Sequence, residues 1–118
     1  MIPELPVRVE PTRYEVTKYP KGGVNAHAFT LWVERRDPEK DLWCITDGCF
    51  CYRKDGHKSY ESNPSSRTDR YKAAYRFPLE RALELAQKFV DKLTIGPKAN
   101  PMTAERCWEW EQQQGGEK

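Results

Sequence analysis

The sequence predicts an α+β domain: a curled antiparallel sheet of four to five strands with one main helix on one face and a short C-terminal helix. Three observations carry this. A long amphipathic stripe runs over residues 78–94, alternating apolar and polar segments precede it, and Asp-Gly and Gly-Gly turn signals separate those segments.

The stripe is the clearest element. Leu79, Ala82, Leu83, Ala86, Phe89, Val90 and Leu93 recur at helical spacing. At 100° per residue they cover an arc about 120° wide. Pro78 suits a first helical turn, Glu84 and Lys88 form an i,i+4 pair, and Gly96-Pro97 is a stop signal.

Alternation marks the strands. Tyr71, Ala73, Tyr75 and Phe77 alternate with Arg70, Lys72, Ala74 and Arg76, which predicts a strand over 70–77 with aromatics beneath the helix and cations outside. Pro78 supports it, because the residue before a proline is pushed out of the α region. Residues 26–35 predict a second strand and 13–19 its partner, with Lys21-Gly22-Gly23 as the turn. Over 41–62, Asp55-Gly56 predicts a hairpin. Asp47-Gly48 makes either a further hairpin or a glycine bulge within one long strand over 42–53, and the short flank at 42–46 favours the bulge. Residues 62–68 form a loop, Thr103 caps a short helix over 104–113, and a flexible tail follows from Gly115. The domain thus runs over 1–103, with 104–118 as an acidic appendage.

Composition bounds the function. The chain has 118 residues, the size of one domain. Four Trp, six Tyr and four Phe point to an aromatic-rich core. No apolar run approaches the roughly 20 residues that span a bilayer, so no membrane partner is expected. The opening residues have no basic-then-apolar leader pattern. A cytoplasmic setting follows, in which Cys44, Cys49, Cys51 and Cys107 stay reduced.

Net charge is +2 but uneven. Residues 53–81 hold eight bases against four acids, a local charge of +4, and residues 104–118 hold four acids against two bases, −2.

Cys44, Cys49 and Cys51 lie close in sequence, with His57 after them. Zinc sites favour paired C-x-x-C knuckles, and this spacing is C-x4-C-x-C. In a two-hairpin register with Thr46 opposite Cys49, Cys44 faces Cys51, and such cysteines act as small apolar side chains. A zinc site and a redox pair are the alternatives. His27 and His57 have no nucleophile or acid placed beside them by any motif. The chain contains no G-x-S-x-G, no H-E-x-x-H and no glycine-rich phosphate loop. No enzyme activity, metal or cofactor is expected.

The leading functional expectation is a non-enzymatic binding protein that engages nucleic acid or a nucleoprotein complex through a basic sheet face. Arg67, Arg70, Lys72 and Arg76, with Lys54 and Lys58 on the neighbouring hairpin, would neutralise phosphates. Trp32 would stack a base, with Tyr52 and Tyr60 as further aromatics. The loop Ser65-Ser66-Arg67-Thr68-Asp69 is a second contact region. The alternative is a protein-interaction factor, an inhibitor of a host enzyme or a homodimer, binding through an open sheet edge or through Trp108 and Trp110. Two positions apart on a helix are 200° apart, so those two tryptophans cannot share a face. Small size, unusual cysteine spacing and lack of a catalytic motif are similar to accessory proteins of phages and mobile elements. The resemblance implies binding or inhibition and assigns no residue.

Overall fold

The computed structural model describes residues 2–60 and 69–115. Its centre is a five-stranded antiparallel sheet in meander order: β1 (Arg13–Thr17), β2 (Thr30–Arg35), β3 (Trp43–Thr46), β4 (Phe50–Tyr52) and β5 (Lys58–Tyr60). Each neighbour follows in sequence, so the sheet stays open and β1 and β5 are its edges. Three helices follow in the chain: α1 (Asp69–Tyr75), α2 (Leu79–Val90) and α3 (Ala104–Gly115). A two-stranded ribbon, β6 (Thr94–Ile95) with β7 (Met102–Thr103), joins α2 to α3.

The core forms as period two and period 3.6 dictate. Val33 lies opposite Ile45 and Tyr14, and Leu31 opposite Val16, so one sheet face is apolar. Against it α2 buries Ala82, Leu85, Ala86 and Val90. Pro78 stands at the helix N-cap, as its sequence position requires. Trp43 closes the end of this core, with its ring 5.7 Å from Tyr14 and its indole N–H donating to Asp41 at 2.7 Å.

The segment 70–77 corrects the sequence reading. Residues 69–75 coil into α1, and no strand forms there. Tyr71, Ala74 and Tyr75 sit at i, i+3 and i+4, so the same residues carry a helical stripe as well as an alternating one. Their stripe packs on Cys44 and Cys51, on the sheet face opposite α2. The proline restriction acts on Phe77 alone. That residue is extended and pairs with Trp43 through two backbone hydrogen bonds of 2.8 and 2.9 Å.

Asp47-Gly48 forms a hairpin between β3 and β4, not a bulge in one long strand. Thr46 pairs with Cys51, so Cys44 and Cys51 are diagonal neighbours and not a directly opposed pair. Gly48 takes φ +104°, a left-handed turn conformation that side-chain-bearing residues avoid. The Asp47 carboxylate accepts from the Cys49 and Phe50 amides, which fixes the reversal. The strand expected over 26–35 starts at Thr30, because residues Ala26–Phe29 form a 3-10 turn.

A second core lies where α3 meets the sheet end. Phe29 is fully buried and stacks on Tyr19, ring centroids 5.3 Å apart. Tyr19 meets Trp108 edge-on, and its hydroxyl donates to Glu111. Lys18 bridges Glu105 at 2.7 Å and Asp91 at 3.3 Å. Gly23 is required here by space, since a Cβ would stand 2.3 Å from the Tyr19 ring. Thr103 caps α3, its hydroxyl accepting from the Arg106 amide at 3.3 Å.

Candidate functional site

The described cationic residues among those singled out in the sequence are spread over separate elements. Arg70 and Lys72 are exposed on α1. Arg76 is 8% exposed, donates to the Tyr75 carbonyl at 3.1 Å and lies over the Tyr71 ring. It is a structural cation, turned in beneath α1. Lys54 sits in the β4–β5 turn. Lys58 lies 3.9 Å from Asp47 and over the Phe50 ring. Arg67 and the rest of the loop 62–68 fall outside the described residues. Trp32 is half-buried on the sheet face away from α2, and the Arg13 guanidinium covers its ring at 4.8 Å. Arg13 in turn pairs with Glu34 at 3.2 Å, and Glu15 faces Trp32 across the strands. This face is charge-mixed, so the basic sheet face expected from alternation at 70–77 is not built.

The tryptophans of α3 divide as helical geometry demands. Trp108 packs inward on Tyr19, and Trp110 is 49% exposed. Tyr52 is buried against Phe89, whereas Tyr60 is exposed at the β5 edge.

The cysteines are free thiols: Cys44, Cys51 and Cys107 buried, Cys49 exposed in the β3–β4 turn. Contact with Cys51, then burial, pushes the Cys44 thiol well above its usual range, which suppresses its thiolate. Among the described residues no group of three or more His, Cys, Asp or Glu is placed to hold a metal ion. A thiol-specific chromogenic disulfide should therefore titrate one fast cysteine in the native protein and four in denaturant, with Cys49→Ser removing the fast phase. Two or more fast thiols would contradict this packing. His57 lies beside the β4–β5 turn, its amide donating to Asp55. Arg53, foremost, holds the Asp55 carboxyl well below the usual carboxylate range, and the same carboxylate accepts from the His57 amide in the turn.

The surface with the least structural explanation is the arm that precedes β1. Residues 2–12 form neither helix nor strand. Along it Ile2, Leu5, Val7 and Val9 are 92, 79, 92 and 93% exposed. These are four of the eight large apolar side chains exposed among the described residues. The base of the arm is tied to the domain: the Arg35 amide donates to the Thr12 carbonyl at 2.9 Å, and its guanidinium meets Glu10 at 3.2 Å. Beyond Glu10 no described side chain of the fold forms a hydrogen bond or ion pair with the arm. Scattered surface apolar residues are ordinary, but four in eight consecutive positions on one projecting segment are a patch.

Comparison of the chain with protein-family models, curated proteins and solved structures finds no match.

The arm is the feature that sequence reasoning missed. Its signal was present: Leu5, Val7 and Val9 alternate, yet prolines at 3, 6 and 11 remove backbone donors and bar a central strand. Apolar residues that no element can bury should have marked it. Among the described residues no helix is long and apolar enough to cross a membrane.

Proposed function

We propose that this chain is a small protein-binding module without catalytic activity, and that the arm at residues 2–9 is its contact segment. The supporting observation is the near-complete exposure of Ile2, Leu5, Val7 and Val9 on a segment that, among the described residues, is anchored only at its base. Burying one such side chain against a partner is worth ~1.5–3 kcal/mol, so Ile2, Leu5 and Val9 together supply a gross drive in the range that specific association requires. The fold behind the arm has its own three buried clusters, none of which includes a residue of the arm. Trp110 and the exposed Tyr60 flank are secondary contact points.

The nucleic-acid reading has less support, because Arg76 is buried, Trp32 is covered by Arg13, and the cations are dispersed. Capture from nuclease-treated lysate separates the two. The intact chain should retain its protein partner after nuclease treatment, and a chain lacking residues 2–9 should lose it while keeping the same melting temperature. Capture that survives the deletion contradicts the proposal. Salt-sensitive binding to labelled oligonucleotides, lost with Arg70 and Lys72, would favour nucleic acid instead.

A further inference from the structure

The arm reads Ile2-Pro3-Glu4-Leu5-Pro6-Val7-Arg8-Val9-Glu10-Pro11. Three prolines fix φ near −65°, and each pushes the residue before it into extended conformations. Such a chain favours the polyproline II helix, with three residues per turn and about 3.1 Å rise per residue. Three residues per turn sort the arm into three ridges. Ile2, Leu5 and Arg8 form one, Pro3, Pro6 and Val9 the second, and Glu4, Val7 and Glu10 the third.

The first two ridges are adjacent. They present Ile2-Pro3 and Leu5-Pro6 as two apolar pairs about 9 Å apart, followed at the same interval by the Arg8 cation beside Val9. The third ridge carries both carboxylates and suits the solvent side. Arg8 has no ion pair or hydrogen bond among the described residues, whereas Glu10 is already held by Arg35. The arm is thus amphipathic in the polyproline sense, with a free guanidinium at a fixed distance from two proline steps.

Resting on the reading of the arm as the contact segment, we infer that its partner is a protein module with an aromatic-lined proline groove and an acidic rim, of the SH3 type. Flat aromatic rings accept the Leu-Pro and Ile-Pro pairs, and a low-entropy polyproline helix loses little freedom on docking. The arm's carbonyls stay available to donors in the groove, since a polyproline helix makes no internal hydrogen bonds. Arg8 pairs with a rim carboxylate in a planar, two-pronged contact that sets the orientation of the peptide.

The test titrates the full chain against a panel of isolated SH3 domains that carry acidic rims, followed by fluorescence anisotropy. Saturable one-to-one binding to at least one member is expected. Pro3→Ala combined with Pro6→Ala should weaken it tenfold or more, as should Arg8→Glu, while Glu4→Gln on the third ridge should stay within twofold. Unchanged melting temperatures would show that the variants remain folded. No binding across the panel, or binding indifferent to the proline and arginine changes, overturns the inference. An arm-dependent dimer in sedimentation without SH3 binding also overturns it and makes a second copy the occupant. Lysate capture that needs residues 2–9 but tolerates the double proline variant sinks this inference alone. Capture that needs no arm at all sinks the reading it rests on.

Discussion

Phe29→Ala is expected to destabilise the protein by ~3–5 kcal/mol, the range for truncating a buried aromatic. That corresponds to a fall in melting temperature of more than about 10 °C for a chain of this size. Phe29 is fully buried and is the floor on which Tyr19 stacks. Tyr19 in turn holds Trp108 edge-on and donates to Glu111, whose other oxygen accepts from the Val24 amide at 2.6 Å. Removing the floor leaves a cavity and loosens the seat of α3. The expected readout is therefore double: a lower melting temperature, and rapid tryptic cleavage at Arg106 in the folded protein. A stable variant with a protected Arg106 would mean that α3 is held by other contacts. Burial, foremost, with Cys107 and Glu111 beside it, pushes the Tyr19 phenol well up. The neutral phenol is thus favoured in the fold, and its contribution is complete below pH ~10 and lost as the pH rises beyond it.

The sequence showed much of this fold, for physical reasons that differ between segments. The α2 stripe was legible because its apolar positions fit one period only, although the helix stops at Val90, short of the expected residue 94, and also buries Leu85, which the expected stripe left out. Residues 13–17 and 30–35 were legible because Val16, Leu31 and Val33 fall at alternate positions, with Glu15, Thr17, Thr30, Trp32 and Glu34 between and around them. The segment 69–75 was not, since seven residues with aromatics at 71 and 75 fit period two and period 3.6 alike. What decides there is tertiary: α1 covers Cys44 and Cys51, and that contact cannot be read from local pattern. Arg76 followed the same error, because a cation assigned to an outer strand face lies instead against Tyr71 and the Tyr75 carbonyl. The hairpin register at 46–51 was open because Asp47-Gly48 serves a turn or a bulge equally well, and packing chooses. The arm was overlooked for another reason. Periodicity finds elements that bury apolar residues within the chain, whereas Ile2, Leu5, Val7 and Val9 are apolar residues that the chain leaves uncovered.

That uncovered arm carries the central claim, and its side chains can be followed directly by hydroxyl-radical footprinting with mass spectrometry. In the isolated chain Leu5, Val7 and Val9 should oxidise freely, in keeping with their exposure, and the buried Leu31 should not. In the complex with the captured protein, Leu5 and Val9 should fall to the level of Leu31, while the exposed Val24 on the far side of the β1–β2 connection keeps its rate. Unchanged labelling of Leu5 and Val9 in a saturated complex would contradict the account, because the residues proposed to make the contact would then still face water.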